Sequence, residues 1–347
     1  MRLVAFPIPL RATSVPAHAL ESIDGRSRPS VSGRSVIEPG ERLRSPCNPL
    51  LPGLGFCDPH ARRAPDGRIF VYATHDFAPE NQDYEMHDWW IWSTRDLEEW
   101  TFEGALRPEE TAIGLPMRSC WATDALLADG QCWWYLSDGP DRIRVVHGAG
   151  PTGPWRDGGP GPLVDRGLVS SSARDPHVFT DDDGSEWLVF GTWDYYLARL
   201  SSDRVSLALP PQRIEIRSPQ GPYGPGRTDD KPSLHRHGGY YHLTWGCFAA
   251  RSRALPGPYD CDGCFLDRSL ADAKPASPTA EPPFSEAQQF FMDRHGSFFV
   301  HDGRWYFIGN DFSRPGATPY FRDSVIVPVE YRADGRIAPA RLTRSWR

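Results

Sequence analysis

The sequence predicts an all-β fold, a five-bladed β-propeller, and three observations point to it. A turn-and-strand signal recurs five times, a polar residue stands ahead of each copy, and sustained 3.6-residue periodicity with caps is nearly absent. The five copies are DGRIFVYATHD (66–76), DGQCWWYLSD (129–138), DGSEWLVFGTW (183–193), GGYYHLTWG (238–246) and DGRWYFIGND (302–311). In each, Asp-Gly or Gly-Gly supplies the positive φ of a tight hairpin, and the aromatic and β-branched run that follows favours a strand. The turn glycines Gly67, Gly130, Gly184, Gly239 and Gly303 recur at a spacing that suits one four-stranded blade with its loops.

Taken from the N-terminus, residues 1–44 are rich in Ser, Arg, Gly and Pro without periodicity and are expected to form an irregular arm. The opening MRLVAFPIPLRATSVPAHAL has an apolar run broken by Pro7 and Pro9, a poor secretory signal, so a cytoplasmic location is the expectation. Residues 45–347 then form the propeller, and the Pro-rich stretch 272–283 is a loop within it. The net charge of −7, with no long basic cluster, argues against a nucleic-acid or anionic-membrane partner. No apolar run reaches the 18 residues of a membrane-spanning helix. Thirteen tryptophans offer flat apolar faces on which a sugar ring can stack. Of seven cysteines only Cys261 and Cys264 have CxxC spacing, half a zinc site without a histidine pair, so the cysteines are read as free.

The polar residues carry the functional signal. Asp58, Asp175 and Asp230 each stand nine residues before a turn glycine, in the contexts CDPH, RDPH and DKPS; Asp124 stands six before Gly130 and His295 eight before Gly303. The innermost strand of each blade lines the central channel, so these groups are expected to meet at one mouth. Hydrolysis of a glycosidic bond needs one carboxyl to protonate the leaving oxygen and a second to activate water or attack carbon, and a third nearby raises the acid's pKa by like-charge repulsion. Asp58, Asp175 and Asp230 supply that set. No GxSxG elbow, HExxH motif, phosphate-binding glycine loop or dinucleotide fingerprint offers a competing chemistry.

The ordered succession FCDPHARRAPDGRIFVYATHD, DWWIWSTRDLEEW, CWATDALLADGQCWWYLSD, PTGPW, RDPHVFTDDDGSEWLVFG and KPSLHRHGGYYHLTWG resembles glycoside hydrolase family 43 from about residue 45 to the C-terminus. The resemblance implies a five-bladed propeller, inversion at the anomeric carbon, and α-L-arabinofuranoside or β-D-xyloside substrates. It makes Asp58 the general base and Asp175 the residue that tunes the acid. Where the family has glutamate-Gly-Pro, this chain has Asp230-Lys231-Pro232, which makes Asp230 the acid, with Asp229 as its competitor. The resemblance also implies that Trp121 and Asp124 face the sugar and that Arg322 lies near it. His75 and Asp76 border the pocket, and Trp193, Asp194 and Tyr195 form a rim. His295 binds substrate and, as in relatives, a structural calcium ion; no cofactor is required. Two alternatives remain open at this point. One is a retaining fructoside-type glycosidase, whose clan shares Arg174-Asp175-Pro176 but whose Asn-Asp-Pro-Asn-Gly and Glu-Cys motifs are missing here. The other is a non-catalytic carbohydrate-binding propeller.

Overall fold

The computed structural model describes residues 30–31, 34–35, 37–270 and 286–346. The expected irregular arm therefore lies mostly outside the described residues, as does the Pro-rich stretch 272–283. The described chain is almost entirely β, and its single α-helix among the described residues is the short Glu286–Phe291.

Five sheets make five blades. Each begins at the channel with Phe56–Arg63, Cys120–Ala128, His177–Thr180, Pro232–His237 or Gly296–His301 and runs outward through antiparallel neighbours. These inner strands touch one another in cyclic order, and the fifth returns to the first, so the ring is closed. Blade one is widened on its outer edge by Arg42–Arg44, which pairs with Glu99–Leu106. The propeller's pairing therefore starts before residue 45, inside the segment expected to be arm. Blade four gains Ile216–Arg217, parallel to Tyr259–Cys264.

The five turn signals form the predicted hairpins, by two routes. Asp129-Gly130, Gly238-Gly239 and Asp302-Gly303 are two-residue turns with both residues at positive φ, between the pairs Ala128↔Gln131, His237↔Tyr240 and His301↔Arg304. That geometry matches the right-handed twist of the strands it joins. At Gly67 and Gly184 the turn is longer, and only the glycine has positive φ among the Asp-Gly residues.

Blade five has three strands of its own, and the other end of the chain completes it. Leu50 N–H donates to the Ser324 carbonyl at 2.7 Å. The Asn48 side chain donates to the Ile326 carbonyl at 2.8 Å and accepts from the Ile326 N–H at 2.9 Å. Between the blades lies an aromatic core in which Trp89, Trp92, Trp100, Trp134 and Trp245 are fully buried. Most of the tryptophan signal is thus packing rather than sugar stacking. All seven cysteines are free; the Cys264 thiol faces Cys247 at 3.4 Å rather than its CxxC partner.

Candidate active site

The strands that open blades one, three and four share a backbone device. Asp58, Asp175 and Lys231 each have left-handed φ (48°, 59° and 53°) and each precedes a proline. Such strained positions persist only where the surroundings over-determine them. Here each N–H is held by a side chain of the preceding blade: Asp58 N by Asn310 Oδ1 (2.7 Å), Asp175 N by Ser137 Oγ (3.0 Å) and Lys231 N by Asp175 Oδ2 (3.1 Å). The residue of blade four that occupies the Asp58 and Asp175 position is therefore Lys231, and Asp230 lies one residue ahead of it. The nine-residue offset to the hairpin hid this, because the distance from proline to turn glycine is one residue shorter in blade four.

Asp58, Asp175 and Asp230 line one pocket of about 260 Å³ at a mouth of the channel, together with Asp229, Asp293 and His295. Asp58 Oδ1 accepts from Asn310 Nδ2 (2.8 Å), Arg322 Nη1 (3.1 Å) and His295 Nδ1 (3.2 Å), and Oδ2 accepts from Thr74 Oγ1 (3.0 Å) and Arg322 Nη2 (3.1 Å). Burial alone pushes its pKa up, but Arg322 and His295 outweigh that and hold the carboxyl well below the usual range. Asp175 is the reverse case: burial and the charge of Asp230 push it up to about 6. Burial also pushes Asp230 up, but His295 Nε2 at 2.5 Å and Arg174 Nη2 at 3.4 Å bring it to about 2, the reverse of the raised value expected of the acid, because the cations beside it outweigh its carboxylate neighbours. Asp229, buried and beside Asp230, is raised well above the ordinary value, chiefly by burial. One imidazole ring, with contacts of 3.2 and 2.5 Å, is thus all that separates Asp58 from Asp230.

Other predicted residues divide. Trp121 and Trp193 line the pocket; the Arg174 guanidinium sits 4.8 Å from the Trp121 ring, and that of Arg227 3.8 Å from the 36% exposed Trp193. Arg322 lines it too, almost wholly buried among Asp58, Asp76 and Asp293. Asp76 does not border the pocket: it is fully buried, and its carboxylate accepts from Arg322 Nε and Nη2, both at 3.0 Å. His75 also lies off the pocket lining, stacked on Trp90 at 3.7 Å and bonded to Asp88 at 2.8 Å. Of the expected rim, Tyr195 is buried with its hydroxyl on the Asp229 carbonyl, and Asp194 pairs with Arg213. Tyr84, Arg174, Tyr223 and Asp293 line the pocket although no turn offset marked them.

Asp124 is the clearest correction. It faces the channel interior below the pocket, fully buried, where Oδ1 accepts from Arg62 Nε (2.8 Å) and Ala125 N (2.7 Å), and Oδ2 from Val178 N (2.7 Å) and Arg62 Nη2. No lone pair is left for a sugar hydroxyl. Asp124→Ala is expected to cost about 3–5 kcal/mol of stability, because it strands a partly buried guanidinium; urea unfolding measures it, and a loss below about 1 kcal/mol would contradict the assignment.

The calcium ion implied at His295 does not fit the donors. Calcium takes six to eight oxygen ligands. The His295 ring has Nδ1 3.2 Å from both Asp58 and Asp293 and Nε2 against Asp230. Burial alone would lower its pKa, but these carboxylates raise it well above the ordinary value. The ring stands in two groups at metal-ligand spacing, with Asp58 and Asp293 and with Asp229 and Asp230, but each group supplies only two carboxylates, and the ring nitrogens already contact them at 2.5–3.2 Å.

Fold and site together define a class: a closed five-bladed β-propeller with buried carboxylates and paired cations at one mouth of its channel. The profile of "Glycosyl hydrolases family 43" matches residues 47–337, and the chain belongs to that family. Among curated relatives, "Xylosidase/arabinosidase 43B" of Humicola insolens is 30% identical over 244 residues, 61% of this chain and 41% of that protein. "Xylosidase/arabinosidase 43A" of the same organism is 31% identical over 156 residues, 41% of this chain and 45% of that protein, so the chain spans less than half the length of either. A "Beta-D-galactofuranosidase" of Aspergillus niger is 24% identical with 85% of each covered. Of solved structures, the family 43 enzyme of Xanthomonas citri complexed with xylotriose aligns with a TM-score of 0.67, 23% identity, and coverage of 85% of this chain and 93% of that one. It shares the fold.

Proposed function

We propose that this protein is a glycosidase that removes terminal α-L-arabinofuranosyl or β-D-xylosyl groups from oligosaccharides with inversion of the anomeric carbon. Asp58 acts as general base, Asp230 as general acid and Asp175 as the group that tunes the acid. The observation that carries this reading is the pairing of Asp58 and Asp230 across one imidazole ring in a pocket suited to a single terminal sugar. Such a span sets only an upper limit on the separation of the two carboxyls, within which both the roughly 6.5–9.5 Å of an inverting pair and the roughly 5–5.5 Å of a retaining pair fall, so inversion rests on the family membership. Asp58, locked ionised, accepts a proton from that water. Asp230, the more open of the two, reaches the leaving oxygen and lies in ion-pair contact with His295 Nε2. Arg322 stays on Asp58 and keeps it anionic while Asp175, titrating near 6, adjusts the charge felt by Asp230. Trp121 and Trp193 supply apolar faces for the ring.

The experiment is a panel of aryl α-L-arabinofuranoside, α-L-arabinopyranoside, β-D-xyloside and β-D-galactoside, with proton NMR of the first-formed sugar. We expect turnover of the first or third substrate and release of the anomer opposite to that of the substrate. Retention would replace this mechanism with a nucleophilic one, and no turnover of any glycoside would favour a binding propeller.

A further inference from the structure

Beneath the pocket the channel holds a lysine that the hydrolytic reading does not use. Lys231 is 1% exposed, and its Nζ lies 2.5 Å from His60 Nδ1. Beyond His60 the contacts continue in one direction: His60 Nε2 to His177 Nδ1 at 2.8 Å, and His177 Nε2 to the Leu234 carbonyl at 2.7 Å. The carbonyl can only accept, so a neutral His177 carries its proton on Nε2 and offers Nδ1 as acceptor to His60, with Asp124 Oδ2 3.2 Å from the same nitrogen. His60 then donates from Nε2 and is left with a lone pair on Nδ1, where the ammonium donates. The Thr123 carbonyl, 2.9 Å from the same nitrogen, would suit the other tautomer, but an N–H there would point at the ammonium. Burial keeps both rings neutral, His60 and His177 being lowered below the ordinary histidine value despite the charge of Asp124.

Burial lowers the Lys231 pKa to about 8 against the attraction of Asp58, Asp124 and Asp175, and Arg62 repels it. His60, Asp124 and His177 bring their ligand atoms close enough to form a metal site. Each is already engaged: Asp124 by Arg62 and two backbone N–H groups, His177 by Leu234, His60 by Lys231 itself.

We propose that the Lys231 ammonium is the resident cation of this channel, that Lys231 positions the three carboxylates of the site, by its ammonium through His60 and by its backbone for the other two, and that the protein neither holds nor needs a divalent metal there. One residue reaches all three. Its side chain holds His60, two residues from Asp58; its N–H holds Asp175 Oδ2; and Asp230 is its neighbour in the chain. Lys231 touches none of the reacting atoms and is a positioning residue. The inference deepens the glycosidase reading and depends on it only where turnover is measured.

Three measurements test it. Calcium chloride titrated into chelator-treated wild-type protein should give no binding heat up to millimolar concentration, and chelation should change the hydrolysis rate less than twofold. Nitrogen-15 spectra of the histidine rings should show His60 protonated on Nε2 alone, and Lys231→Met should alter that signature. The same variant should lose at least tenfold in kcat with KM changed less than threefold. Micromolar calcium binding by the wild type, loss of activity on chelation, a His60 proton on Nδ1, or a Lys231→Met enzyme with unchanged kcat would each overturn the proposal. Should Lys231→Met fail to fold, the wild-type titration and ring spectra decide; should the wild type hydrolyse nothing, the glycosidase reading falls while those two measurements still judge Lys231.

Discussion

Asp58→Asn is expected to lower kcat by roughly 10²–10⁴-fold on every substrate, good or poor leaving group alike, because the attacking water loses its base whatever bond is being broken. The carboxylate's ionised state is secured by Arg322 on both oxygens and by His295, so the wild-type base is ready throughout the working pH range. The variant should still fold, since Arg322 keeps Asp76 and Asp293 as partners. KM should change little, and a melting curve near that of the wild type would separate lost chemistry from lost structure. A variant that retained more than a tenth of the wild-type kcat would remove Asp58 from the base role.

Asp230→Asn should lose activity selectively. Hydrolysis of a natural glycoside, whose leaving alcohol must be protonated, is expected to fall roughly 10²–10⁴-fold, while a substrate with an activated aryl leaving group should fall far less. Burial raises the Asp229 carboxyl well above the ordinary value, His295 and Arg174 outweigh burial to lower Asp230, and the carboxylates around His295 outweigh burial to raise it, so Asp229 and His295 flank Asp230 as the groups that hold a proton more tightly. Asp230 has the better access, its side chain being 25% exposed while Asp229 is 4% exposed. The pair of variants separates them: leaving-group dependence in Asp229→Asn and none in Asp230→Asn would move the acid by one residue.

The propeller was legible because its signal is local. Asp-Gly and Gly-Gly followed by strand formers force the same hairpin wherever they occur, and five repeats leave few other closures. The gathering of Asp58, Asp175 and Asp230 in one pocket was legible for a related reason, since strand and turn fix how far a residue stands from its hairpin. Asp76 and Asp124 were misplaced because their partners are remote. Arg322 is 246 residues from Asp76 and Arg62 is 62 from Asp124, and a carboxylate that faces a sugar reads the same in sequence as one that faces a guanidinium. Lys231 was missed for want of a better ruler. Measured from the proline instead of the turn glycine, it falls in line with Asp58 and Asp175, and its oddity as a buried lysine follows.

The clasp that completes blade five sets the order of events during synthesis. Asp58 emerges from the ribosome early, yet the side chains that hold it, Asn310 and Arg322, lie 252 and 264 residues further along the chain. Until they are made, the nascent first blade carries an unneutralised carboxylate beside an open seam, with Asn48 and Leu50 waiting for Ile326 and Ser324. The pocket these carboxylates line is thus complete only in the closed ring, and a chain released short of Arg322 would leave Asp58 without its guanidinium however well its first four blades had folded.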